Sequence, residues 1–260
     1  MVKVENRRLI FAFYLTLVGI VLNYETVIFI FFKAYAYYPM ILKNPPMPIY
    51  DMLLGNLFSQ TSVAASALLV VVLNLRYYWF IIFAVAYGLI EELFLYLGIY
   101  SHNWYQTWMT VVSLPIYFYI AKIMYRKINS GIKPLLYMGY IYLGVFLTSN
   151  PTLTNILIIA RLLDFNTTLF PNPVISHFLI FWVHFHVLVI PILLMNFLRL
   201  KIIWQALVLI LIYIVYFIGY KTNIIWIREG WFIPVSSANI WGMYLSIYVL
   251  NRLYSRTKST

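Results

Sequence analysis

Three glutamates, Glu25, Glu91 and Glu92, sit inside apolar runs long enough to cross a membrane, in a chain that has only 7 Asp and Glu in all. A carboxylate in hydrocarbon is costly unless it is neutralised, paired or turned toward a polar cavity. These three therefore mark the candidate site. The chemistry open to them is proton or cation binding, a general base, or a bridge that ties helices together. Glu91 and Glu92 are adjacent, hence about 100° apart on a helix, and one of them is expected to face the interior. Glu25, flanked by Asn23 and Thr26, lies at an outer depth that allows it to meet Glu91, unless the first span stops near Leu22 and leaves it at the interface. Arg161 is a candidate cation to pair with Glu91 or Glu92.

Three of the four His fall in the run His177 to His186. His177 and His184 share a helix face but stand roughly 10 Å apart along the axis, too far to hold one ion with bonds of about 2.1 Å. His184 and His186 point to nearly opposite faces. The spacing predicts no metal site; His184 and His177 read as hydrogen-bonded or proton-relay groups. His102 belongs to the polar, aromatic turn Tyr100 to Gln106 directly after the glutamate helix, placed to line the mouth of a cavity. No Gly-rich phosphate loop, nucleophile elbow or paired-histidine zinc motif is present. There is no Cys, so no thiolate ligand, disulfide or cysteine nucleophile is available. These absences weigh against an enzyme and call for no cofactor.

The elements that must position these groups are membrane spans. Of the 260 residues, 64% are hydrophobic and 10% charged, with a mean hydropathy of +0.87, well beyond the roughly 45 to 50% apolar usage of soluble domains. The 24 Tyr, 19 Phe and 8 Trp suit the two membrane interfaces. The net charge of +11 is spread over tails and short loops without a basic stripe, which argues against a nucleic-acid partner. The reading is all-α: one polytopic transmembrane helix bundle over residues 1–260, with about eight spans, or seven. The spans are Leu9 to Phe32, Met52 to Leu73, Tyr77 to Ile99, Thr107 to Tyr125, Pro134 to Ser149, Val174 to Met195, Ile202 to Tyr220 and Ser236 to Leu250, the fifth and eighth being the shortest. With both termini cytoplasmic, only Lys33, Lys43, Arg161, Lys221 and Arg228 of the 18 Lys and Arg fall outside, as the positive-inside rule expects. The acids follow the opposite pattern. Asp51, Asp164 and Glu229 lie outside and Glu5 alone inside, which suggests a polar region opening outward.

Small residues along Ser59 to Ala67 would let a neighbouring backbone approach closely and make span two central. Pro115 and Pro191 lie within spans four and six. Asn44 to Pro48 reads as a stiff extended connector, and Asn150 to Pro173 as a long outer connection with a short apolar piece, Ile156 to Leu163. Asn166-Thr167-Thr168 matches a glycosylation sequon. No internal repeat is visible.

The run Gly88-Leu89-Ile90-Glu91-Glu92-Leu93 through Leu97-Gly98-Ile99-Tyr100-Ser101-His102-Asn103-Trp104-Tyr105-Gln106-Thr107-Trp108 resembles a motif of uncharacterised multi-pass membrane proteins of spore-forming, Gram-positive-type bacteria. That likeness implies a bacterial cytoplasmic membrane and no particular activity. The second half, with Ser113-Leu114-Pro115, Asn150-Pro151, Phe170-Pro171 and Phe181-Trp182-Val183-His184 through Pro191, is more loosely similar to YwaF-like integral membrane proteins. A eukaryotic branch of that group is credited with acyl transfer through a cysteine near its Leu-Pro motif. This chain has no Cys and carries Tyr117 where that branch favours a His-Leu-Cys run, so the activity does not carry over. The Glu91-Glu92 pair is similar to the double-glutamate helix of intramembrane CAAX-type proteases, but Tyr96 stands where their arginine is expected. The leading expectation is binding or transport of a small solute or cation at an outward-facing glutamate site. The alternatives are a membrane-embedded enzyme acting on a lipid, with Glu91 or Glu92 as base and His177 or His102 assisting, and a non-catalytic scaffold. Beyond the lipid bilayer and a small solute or lipid, the sequence names no partner.

Overall fold

The computed structural model describes residues 6–43, 47–148 and 153–255. Glu5, Asn44 to Pro46 of the expected connector, and Asn150-Pro151 lie outside the described residues. Asn6 opens α1 (Arg7–Glu25), its side chain accepting the Leu9 amide at 3.1 Å, one of the donors that a helix start leaves unpaired. The polar run at Asn23 to Thr26 does not end the helix, because its side chains fold back onto it. Asn23 Nδ2 donates to the Gly19 carbonyl at 2.8 Å and Thr26 Oγ1 to the Leu22 carbonyl at 2.8 Å. The chain then widens into a π-helical turn, Thr26–Phe31, a local form often found at functional sites. Glu25 is thus inside the first span, Arg7–Phe31.

The chain divides into two compact units, Met1–Lys133 and Pro134–Thr260. In the first, α1 is followed by β1 (Tyr35–Tyr37), α2 (Pro48–Val72), α3 (Tyr78–Tyr96), β2 (Tyr100–His102) and α4 (Thr107–Ser130). Helix α2 packs against α1, α4 and, less closely, α3. Its small residues serve that role: Ala64 and Ala67 are fully buried, while the Ser62 and Ser66 hydroxyls each lie 2.9 Å from the Tyr87 hydroxyl of α3. Helices α3 and α4 meet at Gly88, where a Cβ would come within 2.8 Å of Val111 Cγ2. Lys122 on α4 turns its ammonium inward, donating to the Leu75 carbonyl at 2.7 Å beside the Tyr77 ring.

Short strands are absent from the sequence reading, which takes Tyr100 to Gln106 as a turn. The structure pairs β1 with β2 as an antiparallel ribbon, Tyr35 opposite His102 and Tyr37 opposite Tyr100. Three residues each are too few for an alternating pattern to stand out. Asp51 in the first turn of α2 fixes the ribbon's exit by accepting the amides of Met40, Ile41 and Leu42 at 3.0, 2.8 and 2.7 Å. Helices α1 and α3 therefore end on the same side, joined by the ribbon.

The second unit runs α5 (Pro134–Leu147), α6 (Asn155–Ile159), β3 (Leu163–Phe165), α7 (Pro173–Phe197), α8 (Ile202–Lys221), β4 (Ile225–Ile227) and α9 (Phe232–Ser255). β3 and β4 again pair antiparallel, Leu163 opposite Ile227. Seven helices among the described residues are long and apolar enough to cross a membrane. The fifth expected span is α5, whose 14 residues reach roughly 21 Å against a hydrocarbon core of about 30 Å. The eighth is longer than expected, α9 having 24 residues. Apolar side chains left exposed on α3 (Leu89) and α8 (Ile210, Leu211) suit contact with lipid.

Although the sequence shows no repeat, the two units share an order of turns and strands, while their helices pack differently. Pro48 and Pro173 open α2 and α7. Left-handed residues recur at matching turns: Lys33 and Arg161 two positions before β1 and β3, Asn74 and Arg199 two beyond α2 and α7, Gly98 and Asn223 two before β2 and β4. What recurs is a set of backbone conformations, held by different side chains.

At Gly55 on α2, an added Cβ would lie 2.3 Å from Tyr37 Cε1 and 2.6 Å from Pro39 Cγ, so that both rings would have to shift. Gly55→Ala is expected to destabilise the first unit by about 1–3 kcal/mol, read as a lower Tm of the detergent-solubilised protein. An unchanged Tm would show that the ribbon does not pack on α2 this closely.

Candidate functional site

Where the β1–β2 ribbon covers the ends of α1 to α4, the first unit holds a partly open cavity of about 350 Å³. It lies within the usual range of small-molecule sites, roughly 300–1,000 Å³. Glu25 and Glu91 line it from α1 and α3, Asn56 and Gln60 from α2, and Thr110 from α4. Among the described residues no Lys or Arg lines it.

Each carboxylate is held by neighbours of the same unit. Glu25 Oε2 accepts from the Tyr35 hydroxyl of β1 and from Asn56 Nδ2 at 3.3 Å, and Asn56 Nδ2 also reaches the Tyr35 hydroxyl at 3.2 Å. Both bonds go to one oxygen. Among the described residues nothing donates to Glu25 Oε1, which stays available to a guest. Glu91 is engaged at both oxygens. His102 Nε2 lies 2.8 Å from Oε1, a bond the imidazole donates when that nitrogen carries the proton, and Thr110 Oγ1 donates to Oε2 at 2.6 Å. The α helix puts Glu91 and Thr110 on facing helices, and the ribbon brings Tyr35 and His102 back over them.

Aromatic rings make up much of the remaining wall, with Tyr35 set 4.9 Å from Tyr100 and 6.0 Å from Tyr105 between ring centres, and Tyr37 stacked 5.9 Å from Phe94. Burial pushes the Tyr100 hydroxyl well above the ordinary phenol value, and the negative charges of Glu91 and Glu25 push it further. Tyr35 and Tyr105 are raised by burial in the same way. These hydroxyls stay neutral, so the charge of the site comes from its carboxylates.

Three of the sequence candidates, Glu25, Glu91 and His102, are brought together here. Glu92 is exposed and takes no part in the cavity wall, as the 100° offset from Glu91 requires. His184, His177 and Arg161 belong to the second unit. His184 is buried between the rings of Phe165 and Tyr216, at 5.3 and 5.1 Å, with no hydrogen-bond partner for either nitrogen. His177 Nδ1 lies 3.4 Å from Asp164. His186 is held by the Trp182 carbonyl and the Tyr142 hydroxyl, at 2.7 and 2.8 Å. The three histidines of α7 thus have separate surroundings. Arg161 is exposed at the turn after α6. Among the described residues no three His or carboxylate side chains gather as metal ligands. The sequon residue Asn166 is tied into its turn, its Nδ2 donating to the Asn223 carbonyl at 3.0 Å.

Sequence reasoning missed Asn56, Tyr35, Thr110 and Gln60. Asn56 and Gln60, polar residues one helical turn apart within an apolar span, carried the available signal; Tyr35 did not stand out among 24 tyrosines.

With seven apolar spanning helices among the described residues, the chain is a multi-pass membrane protein that holds, within four of its helices, a largely apolar, aromatic cavity carrying two carboxylates. No protein-family model, curated protein or solved structure matches it.

Removing the buried Tyr35 hydroxyl leaves Glu25 and Asn56 short of a partner. Tyr35→Phe is expected to cost about 1–3 kcal/mol of stability, and Thr110→Val to act similarly through Glu91. Thermal unfolding in detergent measures both; wild-type Tm values would mean these bonds do not hold the site.

Proposed function

We propose that the protein binds a small solute or cation in the first-unit cavity and moves it across the membrane, with Glu25 and Glu91 as its acceptors. The observation that carries this reading is that two carboxylates from different helices line one cavity without a Lys or Arg beside them. Glu25 supplies an oxygen to which no described residue donates, and Glu91, held at one oxygen by His102 and at the other by Thr110, keeps a free lone pair on each. Intramembrane ionisable residues facing a cavity commonly mark substrate or ion pathways.

The distribution of Lys and Arg supports an orientation with Arg7, Arg76 and Arg126 in the cytoplasm and the ribbon outside, which puts the two carboxylates in the outer half of the first unit. A bacterial cytoplasmic membrane fits the likeness carried by Gly88 to Trp108.

One observation favours a second reading. The 2.8 Å contact of Glu91 with His102 meets the distance a carboxylate–imidazole pair needs for general acid–base work, here on a lipid. Turnover of bilayer lipid by the purified protein, abolished in His102→Gln, would establish it.

An apolar carbodiimide, which attacks protonated carboxyls, tests the leading reading with mass spectrometry as the readout. Labelling at Glu25 is expected in wild type, to be absent in Glu25→Gln, and to fall when a panel of inorganic and organic cations is added. Labelling that no cation suppresses would sink the cation-acceptor role.

A further inference from the structure

We infer that the guest of this cavity is an organic ammonium ion, a quaternary or protonated amine with apolar substituents, rather than a metal cation. This deepens, and rests on, the cation-acceptor reading above.

The size of the space comes first. A volume of about 350 Å³ is an order of magnitude more than a bare metal ion fills, and a hard cation such as Ca²⁺ needs about 6–8 oxygen ligands close around it. The wall offers only two carboxylates, on different helices, and among the described residues no three His or carboxylate side chains gather to begin such a shell. An organic cation needs no such shell. Its charge requires one or two carboxylates, and its substituents require apolar walls.

The composition of the wall agrees. Tyr24, Tyr35, Tyr37, Phe94, Tyr100 and Tyr105 line the end of the cavity beneath and within the ribbon. Aromatic rings attract cations through their quadrupole, most strongly when the cation is desolvated, and cages of them recognise quaternary ammonium groups. Several hydroxyls of the wall are already committed: Tyr35 to Glu25, Tyr87 to Ser62 and Ser66, and Tyr117 to the Leu17 carbonyl at 3.0 Å. What remains for a guest is mostly ring surface and apolar side chain, with the open Glu25 Oε1 and the Gln60 amide as polar contacts. A neutral lipid tail would make no use of two carboxylates, and an anion would be repelled by them.

The second unit supplies an internal comparison. Aligning the two units on their matching turns and strands sets Leu153 opposite Glu25, Phe181 opposite Asn56, Tyr216 opposite Glu91, Val235 opposite Thr110, Leu163 opposite Tyr35 and Ile227 opposite His102. Neither carboxylate has an acidic counterpart. The second unit thus forms its turns and ribbon without acidic residues at these positions, although its helices pack differently, α9 lying against α5 and α7 where α4 lies against α3 and α2.

The test is protection of Glu25 from carbodiimide in the purified full-length protein, with choline and benzyltrimethylammonium as probes. Sodium and potassium ions, and dimethylbutanol, the uncharged carbon isostere of choline, are the comparisons. The ammonium probes are expected to protect at concentrations at least tenfold below the other three. Tyr100→Leu should weaken that protection about tenfold while Tyr100→Phe, which keeps the ring, preserves it. That pair separates ring recognition from a folding defect. Protection by sodium or potassium alone would overturn the organic-ammonium inference and leave the cation-acceptor reading standing. Equal protection by dimethylbutanol would overturn charge recognition. Protection by nothing would remove both readings.

Discussion

Everything at the outer end of the first unit follows from the cost of keeping carboxylates among apolar helices. An unpartnered charge in hydrocarbon is tolerated only with donors or a polar space at hand, and helices α1 to α4 supply only some of both. The β1–β2 ribbon supplies the rest. Tyr35 of β1 donates to Glu25, and His102 of β2 reaches Glu91; the two residues are directly opposite each other in the ladder. One strand register thus sets both carboxylates at once, and a slip by one residue would turn Tyr35 and His102 to the other face. The ribbon in turn depends on α2, where Gly55 makes room for Tyr37 and Asp51 gathers three loop amides.

The π-helical turn that begins at Thr26 belongs to the same arrangement. It changes the pitch of the span immediately after Glu25, so that the chain leaves α1 toward Tyr35, the donor Glu25 needs. Polar side chains before the turn, Asn23 and Thr26, are satisfied by carbonyls of their own helix and ask nothing of the lipid. Glu25 looks outward for its partners.

The comparison of the units separates scaffold from site. Both place a proline at the start of the second long helix, a left-handed residue at each matching turn, and a three-residue ribbon between the same two loops. Different side chains occupy these turns, Lys33 against Arg161 and Gly98 against Asn223, because the requirement is a positive φ and the surrounding hydrogen bonds hold it. In the second unit the places of the carboxylates are taken by Leu153 and Tyr216. There α7 buries His184 between aromatic rings.

Hydropathy and length are local properties, and the sequence by itself determined everything that follows from them: the membrane class, the spanning helices within a few residues of their ends, and the rule that a carboxylate inside such a helix needs a partner. The 100° offset of neighbours on a helix even foretold that only one of Glu91 and Glu92 faces inward. Pairing between distant segments is not local, and only the tertiary structure decided it. The ribbon joins residues 35–37 to 100–102, a three-residue match with no periodicity to reveal it. The repeat lies in φ values that unrelated side chains adopt. Asn56 and Tyr35 looked like one more amide and one more tyrosine until the packing of α2 and the ribbon placed them on Glu25. His184 and Arg161, conspicuous by residue type, proved to belong to the other unit, because residue type states what a group can do and the packing of the helices determines which groups it meets.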